Sequence, residues 1–261
     1  MFNTFFYWIS LFNSLNAQWE RCNGPYGGVV NSIIANEDVV IASSTLGVFK
    51  SKNNGKSWTV IDSLKCWGFA KNRNIVYAGS SDGGILISTD NGENWSATDS
   101  VLPSLSKRII IIKDTIIFVG TSKGIFSTSN NGESWSEMNN GLTNLDVYSL
   151  AIYGSNILAG TASGCIFQSS NNGENWTVLM QDDNVRYVYS LSVKDSNIYA
   201  GTYRGLLYST NNGGSWTKVE KGPIGPISSI VIKDTLIFCS MPGSGICRSS
   251  DNGKNWTEIN S

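Results

Sequence analysis

The 261-residue sequence contains no histidine. Its absence removes Ser-His-Asp and Cys-His triads, histidine general bases and every zinc site that needs an imidazole. Charge is scarce too: 15% of residues are charged, and 19 basic against 20 acidic side chains leave a net charge of -1. A broad phosphate-binding surface cannot be built from that balance, so nucleic acid is not an expected partner. Long hydrophobic runs are missing. The stretch Phe5 to Phe12 spans eight residues, and Ile109 to Ile112 ends at Lys113-Asp114-Thr115. A membrane-crossing helix needs about 20 apolar residues, so no span is expected. Five cysteines (Cys22, Cys66, Cys165, Cys239 and Cys247) make an odd count, so an exported chain must leave at least one free or paired between molecules. All five fall in predicted strands, where they read as buried small hydrophobes. No metal or cofactor is expected. What is present, 41% hydrophobic residues over 261 positions, is enough for a sizeable core and rules out intrinsic disorder.

Residues 1–17 (MFNTFFYWISLFNSLNA) place an apolar stretch ahead of polar residues and the small Ala17. This reads as a signal peptide, which predicts a secreted, periplasmic or cell-surface protein whose single domain spans 18–261.

A repeat of about forty residues organises that domain. One segment recurs six times: SKNNGKSW (51–58), STDNGENW (88–95), TSNNGESW (128–135), SSNNGENW (169–176), STNNGGSW (209–216) and SSDNGKNW (249–256). Its tryptophans, Trp58, Trp95, Trp135, Trp176, Trp216 and Trp256, are spaced 37, 40, 41, 40 and 40 residues apart. That period suits a four-stranded antiparallel propeller blade. In the fifth copy the strands are predicted at 188–193, 197–202, 205–210 and 216–220, rich in β-branched and aromatic residues and separated by turn residues. No helical periodicity is present. Asn-Gly precedes every tryptophan and predicts a type I′ turn between the third and fourth strands. The Asn or Asp two residues before each glycine (Asn53, Asp90, Asn130, Asn171, Asn211, Asp251) can accept hydrogen bonds from turn amides, while the tryptophan packs between blades.

The pattern Ser/Thr-x-Asp/Asn-x-Gly-x-x-Trp resembles the Asp-box, or BNR repeat, of sialidase-like β-propellers, and it covers residues 47–261. The resemblance implies an all-β propeller. It also extends to secreted BNR-repeat proteins of bacteria and to the photosystem II assembly factor family, which are binding scaffolds. In the superfamily the box lies away from the active site, so it speaks for fold and not for chemistry. Sialidase activity needs an arginine triad, a tyrosine nucleophile and an acid/base carboxylate. The arginine-proline element that carries the first triad member in that family is missing, because none of Arg21, Arg73, Arg108, Arg186, Arg204 and Arg248 precedes an Ile/Leu-Pro pair. The expectation is a non-enzymatic interaction module; the alternative is a glycan-binding or glycoside-cleaving propeller.

Six complete blades are expected, with seven as the alternative. The segment 18–25 aligns with the region around Trp216, which makes Trp19 part of an extra outer strand; either Trp19 or Trp256 then lies on the redundant strand, and a terminal strand closes the ring. Aligned against each other, the copies vary at the start of the first strand: Asn31, Trp67, Arg108, Tyr148, Tyr189 and Ser228. The second-to-third strand connections add Asp82, Lys123, Tyr203 and Arg204. Trp67, Arg108, Tyr148, Tyr189, Tyr203 and Arg204 are therefore the candidate face for a protein partner or a glycan. The competing account is that they plug the channel and decorate loops.

Overall fold

The computed structural model describes residues 7–8, 20–21, 24–25, 29–35, 39–63, 65–80, 84–98, 102 and 107–259. Six four-stranded antiparallel sheets follow one another along the chain, each made from consecutive strands. This is a six-bladed β-propeller. Blade 1 holds Val30–Ala35, Val40–Ser44, Gly47–Ser51 and Thr59–Asp62. Blade 2 runs from Cys66–Asn72 to Ser96–Ala97, and blade 3 from Lys107–Lys113 to Ser136–Glu137. Blade 4 begins at Val147–Tyr153 and ends at Thr177–Gln181. Blade 5 comprises Val188–Lys194, Asn197–Thr202, Gly205–Ser209 and Thr217–Lys218. Blade 6 comprises Ser229–Lys233, Leu236–Met241, Gly245–Ser249 and Thr257–Glu258. The one helical piece among the described residues is the 3-10 turn Ala162–Gly164.

The chain divides into two compact units, residues 1–116 with 128–135 and 261, and residues 117–127 with 136–260. Blades 1 and 2 lie in the first unit, blades 4, 5 and 6 in the second, and the strands of blade 3 are shared out between them. Within each unit the core runs through the second strands. Val40–Ser44 is buried along its whole length, as is Asn197–Thr202 after its first residue. These strands are apolar and small because both of their faces are covered.

Blade 6 is completed by its own last strand, immediately after Trp256, so that strand is not redundant. Gln18 and Trp19 lie outside the described residues. Glu20–Arg21, which follows them, pairs with Tyr7–Trp8.

The repeated box explains how such short outer strands are held. In blades 2, 3, 5 and 6 the fourth strand is only two residues long. Two residues cannot sustain a ladder alone. The first residue of each box supplies the missing anchor: the hydroxyls of Ser51, Ser88, Thr128, Ser169, Ser209 and Ser249 are buried and accept the glycine N–H four residues on, at 2.7–3.0 Å. Each hydroxyl in turn donates to the Asn or Asp two residues on, at 2.7–3.0 Å. That Asn or Asp accepts a backbone N–H from the residue four places further on. The Asn-Gly pair has positive φ at both residues, for example Asn131 at 56° and Gly132 at 90°, with Glu133 N–H donating to Asn130 O at 3.2 Å. The I′ turn therefore sits inside a longer connection of seven residues in all six blades, rather than joining the strands by itself.

In five of the six boxes the choice between Asp and Asn follows its partner; in blade 4 Asn171 stands before Asn175, whose side-chain oxygen accepts from the Asn140 amide instead. Asp90 and Asp251 accept from the side-chain amides of Asn94 and Asn255 at 2.7 Å. Asn53, Asn130 and Asn211 donate their own amides to the hydroxyls of Ser57, Ser134 and Ser215. A carboxylate meets a donor and an amide meets an acceptor, so both versions of the box are satisfied.

Several box tryptophans lean on the preceding blade. Trp95 packs against the cluster that holds Ile41 and Val48 of blade 1, Trp216 joins the cluster around Leu158 and Ile166, and Trp256 packs against the cluster with Tyr199 and Leu206. Trp176 is buried, and its indole N–H donates to Met138 O at 2.8 Å.

Two stability predictions follow from the box. A Cβ on Gly132 would stand 2.7 Å from Thr98 Cγ2 in a left-handed backbone, whereas one on Gly84 meets nothing within 4 Å. Gly132→Val is expected to cost at least about 1 kcal/mol, while Gly84→Ala melts like the parent; thermal unfolding of both variants checks this. The Asp251 carboxyl is held down at about 2, chiefly by the Asn255 backbone N–H and then by the Asn255 amide and Ser249 hydroxyl. The same bonds from Asn94 and Ser88 hold Asp90 below its ordinary value. A folded-state value below the unfolded one means stability that is present above the ordinary carboxylate value and lost as pH falls from about 4 to about 2. Asp90→Asn/Asn94→Ser combined with Asp251→Asn/Asn255→Ser should flatten that acid limb in pH-resolved melting. An unchanged acid slope would show that the two carboxylates do not set it.

Candidate binding site

In four blades the variable residue of the first strand sits on a β-bulge. In blade 1 the register slips between Val30 and Ser32, in blade 2 between Cys66 and Gly68, in blade 4 between Val147 and Ser149, and in blade 5 between Val188 and Ser190. The residues skipped are Asn31, Trp67, Tyr148 and Tyr189. A bulge leaves one residue outside the ladder and re-aims its side chain, which frees these positions from the pairing that constrains their neighbours. The serine that follows is used between blades: Ser32 Oγ accepts Phe69 N–H at 3.3 Å, Ser149 Oγ donates to Val188 O at 2.9 Å, and Ser190 Oγ accepts Ile230 N–H at 3.1 Å. Scaffold and variable positions thus alternate along one strand.

In the second unit the bulges assemble a tyrosine cluster. Tyr187 and Tyr189 stack with centroids 5.5 Å apart and planes 15° apart. Tyr148 meets both edge-on, at 5.3 and 5.5 Å. Tyr203 meets Tyr187 edge-on at 6.3 Å, and the Arg186 guanidinium lies 5.5 Å from the Tyr203 ring centre. Tyr203 is 40% exposed and the other three rings are half-buried, so the cluster is neither plugged into the core nor free in solvent.

Local chemistry holds the cluster in place. Asp182 Oδ1 accepts Asn184 N–H at 2.9 Å and Asp182 O accepts Val185 N–H at 2.9 Å, closing a turn that buries Val185. Arg186 adopts a left-handed φ of 62°, and its carbonyl accepts the Gly164 N–H. Tyr203 N–H donates to Tyr187 O at 3.0 Å, which ties the second-to-third connection of blade 5 to the strand entry. Burial, followed by the neighbouring tyrosines, pushes the Tyr189 phenol above its ordinary value. It stays a protonated donor and offers a hydroxyl and an aromatic edge rather than a phenolate nucleophile.

Of the residues singled out by sequence, Tyr148, Tyr189 and Tyr203 are brought together. Arg204 follows Tyr203 with its backbone N–H bound to Thr202 Oγ1 at 3.2 Å and its side chain exposed. Trp67 belongs to the first unit, where its bulge leaves it 48% exposed. Arg108 lies on the strand Lys107–Lys113, its side chain outside the described residues, as is the whole of Asp82. The central ring, Tyr187, was not among the six candidates. Its signal was the Arg-Tyr-Val-Tyr run at 186–189, an aromatic pair two residues apart at a strand entry. Among the described residues no group of His, Cys, Asp or Glu is arranged to hold a metal, and no helix is long and apolar enough to cross a membrane.

The fold and the six boxes define the class: this chain is a β-propeller of BNR/Asp-box repeats. A model of the DUF6242 beta propeller domain matches residues 104–233, and the BNR/Asp-box repeat model matches residues 86–97. No curated protein matches the sequence. YCF48 from Cyanidioschyzon merolae is similar in structure, with a TM-score of 0.72 and 18% identity over 92% of this chain and 88% of that one. A structure of YCF48 bound to D1 peptide superposes with a TM-score of 0.68 and 14% identity over 90% and 83% of the two chains. The GH74 enzyme of Niastella koreensis gives a TM-score of 0.71 and 17% identity over 88% of this chain but only 45% of the enzyme. At these identities the likeness is one of fold.

Spectrophotometric titration tests the environment of the cluster. Tyr189→Phe should remove one phenol from the late-ionising group that also includes Tyr77 and Tyr199, both raised by burial. Loss of an early-ionising phenol instead would contradict the packing described.

Proposed function

We propose that this propeller is an exported, non-catalytic binding module that captures an extended segment of a protein partner on the tyrosine cluster of blades 4 and 5. The observation that carries this reading is the packing of Tyr148, Tyr187, Tyr189 and Tyr203 ring against ring at bulged strand entries, half-buried, with the Arg186 and Arg204 side chains exposed beside them. Tyrosine presents a large rigid face and a hydroxyl at little conformational cost, which is why it is enriched where proteins bind each other. A second feature supports it: Leu145 and Ile224, in the connections leading into blades 4 and 6, are exposed large apolar side chains. The YCF48 structure with bound D1 peptide supplies a precedent for a peptide ligand on this fold, by analogy alone. Export rests on the apolar stretch ahead of Ala17.

The test begins with selection of peptides from a displayed library on the folded protein, followed by affinity measurement for parent, Tyr187→Ala and Tyr203→Ala. Each substitution should weaken the selected peptides by at least about thirtyfold, the effect of a 2 kcal/mol hot spot. Peptides that bind all three proteins equally would place the site elsewhere. Binding to a glycan panel, lost in the same variants, would replace the protein ligand by a sugar.

A further inference from the structure

Cys239 and Cys247 stand directly opposite each other in blade 6, on the antiparallel strands Leu236–Met241 and Gly245–Ser249. Opposed residues send their side chains to the same side of a sheet. Here that side is the buried one: the two cysteines are 0% and 4% exposed and pack with Tyr199, Leu206, Ile227 and Ile230. Opposed Cα atoms in an antiparallel pair lie about 4.5–5.5 Å apart, within the roughly 4.4–6.8 Å that a disulfide spans. The Cβ atoms need to approach by no more than about 1–2 Å to reach bonding geometry. The connection between the strands is only Pro242-Gly243-Ser244, closed by Ser244 N–H donating to Met241 O at 3.0 Å. A loop this short closes in well under a microsecond, so the two sulfurs meet early in folding. Cys66 and Cys165 lie on the sheets of blades 2 and 4, where no other described cysteine faces them.

We propose that Cys239 and Cys247 are joined by an intrachain disulfide when the chain folds in contact with a disulfide oxidant, such as glutathione disulfide or the disulfide of a thiol oxidase. One cysteine thiolate attacks the oxidant's disulfide, forming a mixed disulfide and releasing one of its sulfurs as a thiol. The second thiolate then displaces the oxidant's other sulfur. Two electrons and two protons leave the cysteines, and the oxidant departs fully reduced. Timing follows from burial. Once blade 6 packs on blade 5, desolvation pushes both thiols up and suppresses the thiolate that exchange requires. The bond is therefore made in the folding chain and shielded afterwards.

The experiment refolds the full chain from denaturant in a glutathione redox buffer and then alkylates it with N-ethylmaleimide in denaturant without reductant. Trypsin releases both cysteines in one peptide, Asp234 to Arg248. The proposal expects that peptide unlabelled and two hydrogens lighter than its dithiol form, and doubly labelled once reductant is added before alkylation. Double labelling without reductant, or linkage of either cysteine to Cys22, Cys66 or Cys165, overturns it.

Discussion

Everything else in this fold depends on one buried hydroxyl per blade. The Ser or Thr that opens each box accepts the glycine N–H and donates to the Asn or Asp beside it, so a loop with two left-handed residues becomes a rigid clasp. Without it the two-residue outer strands would have nothing to hold them in register. The clasp also sets the tryptophan, seven residues past the hydroxyl, against the neighbouring blade. Burial of an indole is thus coupled to the geometry of a turn, and local and tertiary order reinforce each other. The interlock extends to charge: Lys50 in blade 1 is buried, and its Nζ bonds Asn91 O at 2.9 Å and Glu93 at 2.8 Å, both in the box of blade 2.

The opposite ends of the blades obey a different logic. There the first strand of blades 1, 2, 4 and 5 carries a bulge, and the bulge separates two duties within three residues. The residue in the ladder after it, serine in blades 1, 4 and 5, links to the next blade. The bulged residue itself is released from pairing and is free to differ. In blades 4 and 5 that freedom is taken by tyrosine, and the turn at Asp182 to Val185 adds Tyr187 between the two. A repeat protein gains a ligand surface in this way without disturbing the repeat: what varies is what the ladder does not need.

The repeat was legible because each copy reports the same local physics six times. Asn-Gly favours positive φ at the turn, and short β-branched and aromatic runs between such turns favour strands, so the four-stranded blade and its strand order were legible, while the choice of six blades over seven was made by the structure. The second and third strands of blade 5 appear where the pattern placed them, whereas the predicted fourth strand, 216–220, is reduced to Thr217–Lys218. In the sequence, Asp and Asn were equivalent as acceptors of the turn amides, and nothing there explained the split between them. In blades 1, 2, 3, 5 and 6 it is a matching of donors and acceptors with the residue four places on, visible once the side chains are placed.

The candidate site was legible only in part, for a physical reason. Comparison of the copies identified Tyr148, Tyr189 and Tyr203 as unconstrained by the scaffold, since variation within a repeat marks positions free of a shared duty. It passed over Tyr187, whose counterparts are Val29 in blade 1 and Asp146 in blade 4, because the comparison was made two residues further on, at the start of the strand. It could not show the opposed cysteines, because facing across a hairpin depends on register. The sequence by itself determined the repeat, the turn chemistry and the class of fold, all of which arise from interactions within a few residues. Only the tertiary structure decided which side chains meet, because the bulges, the strand register and the packing of one blade on the next are settled between segments forty residues apart.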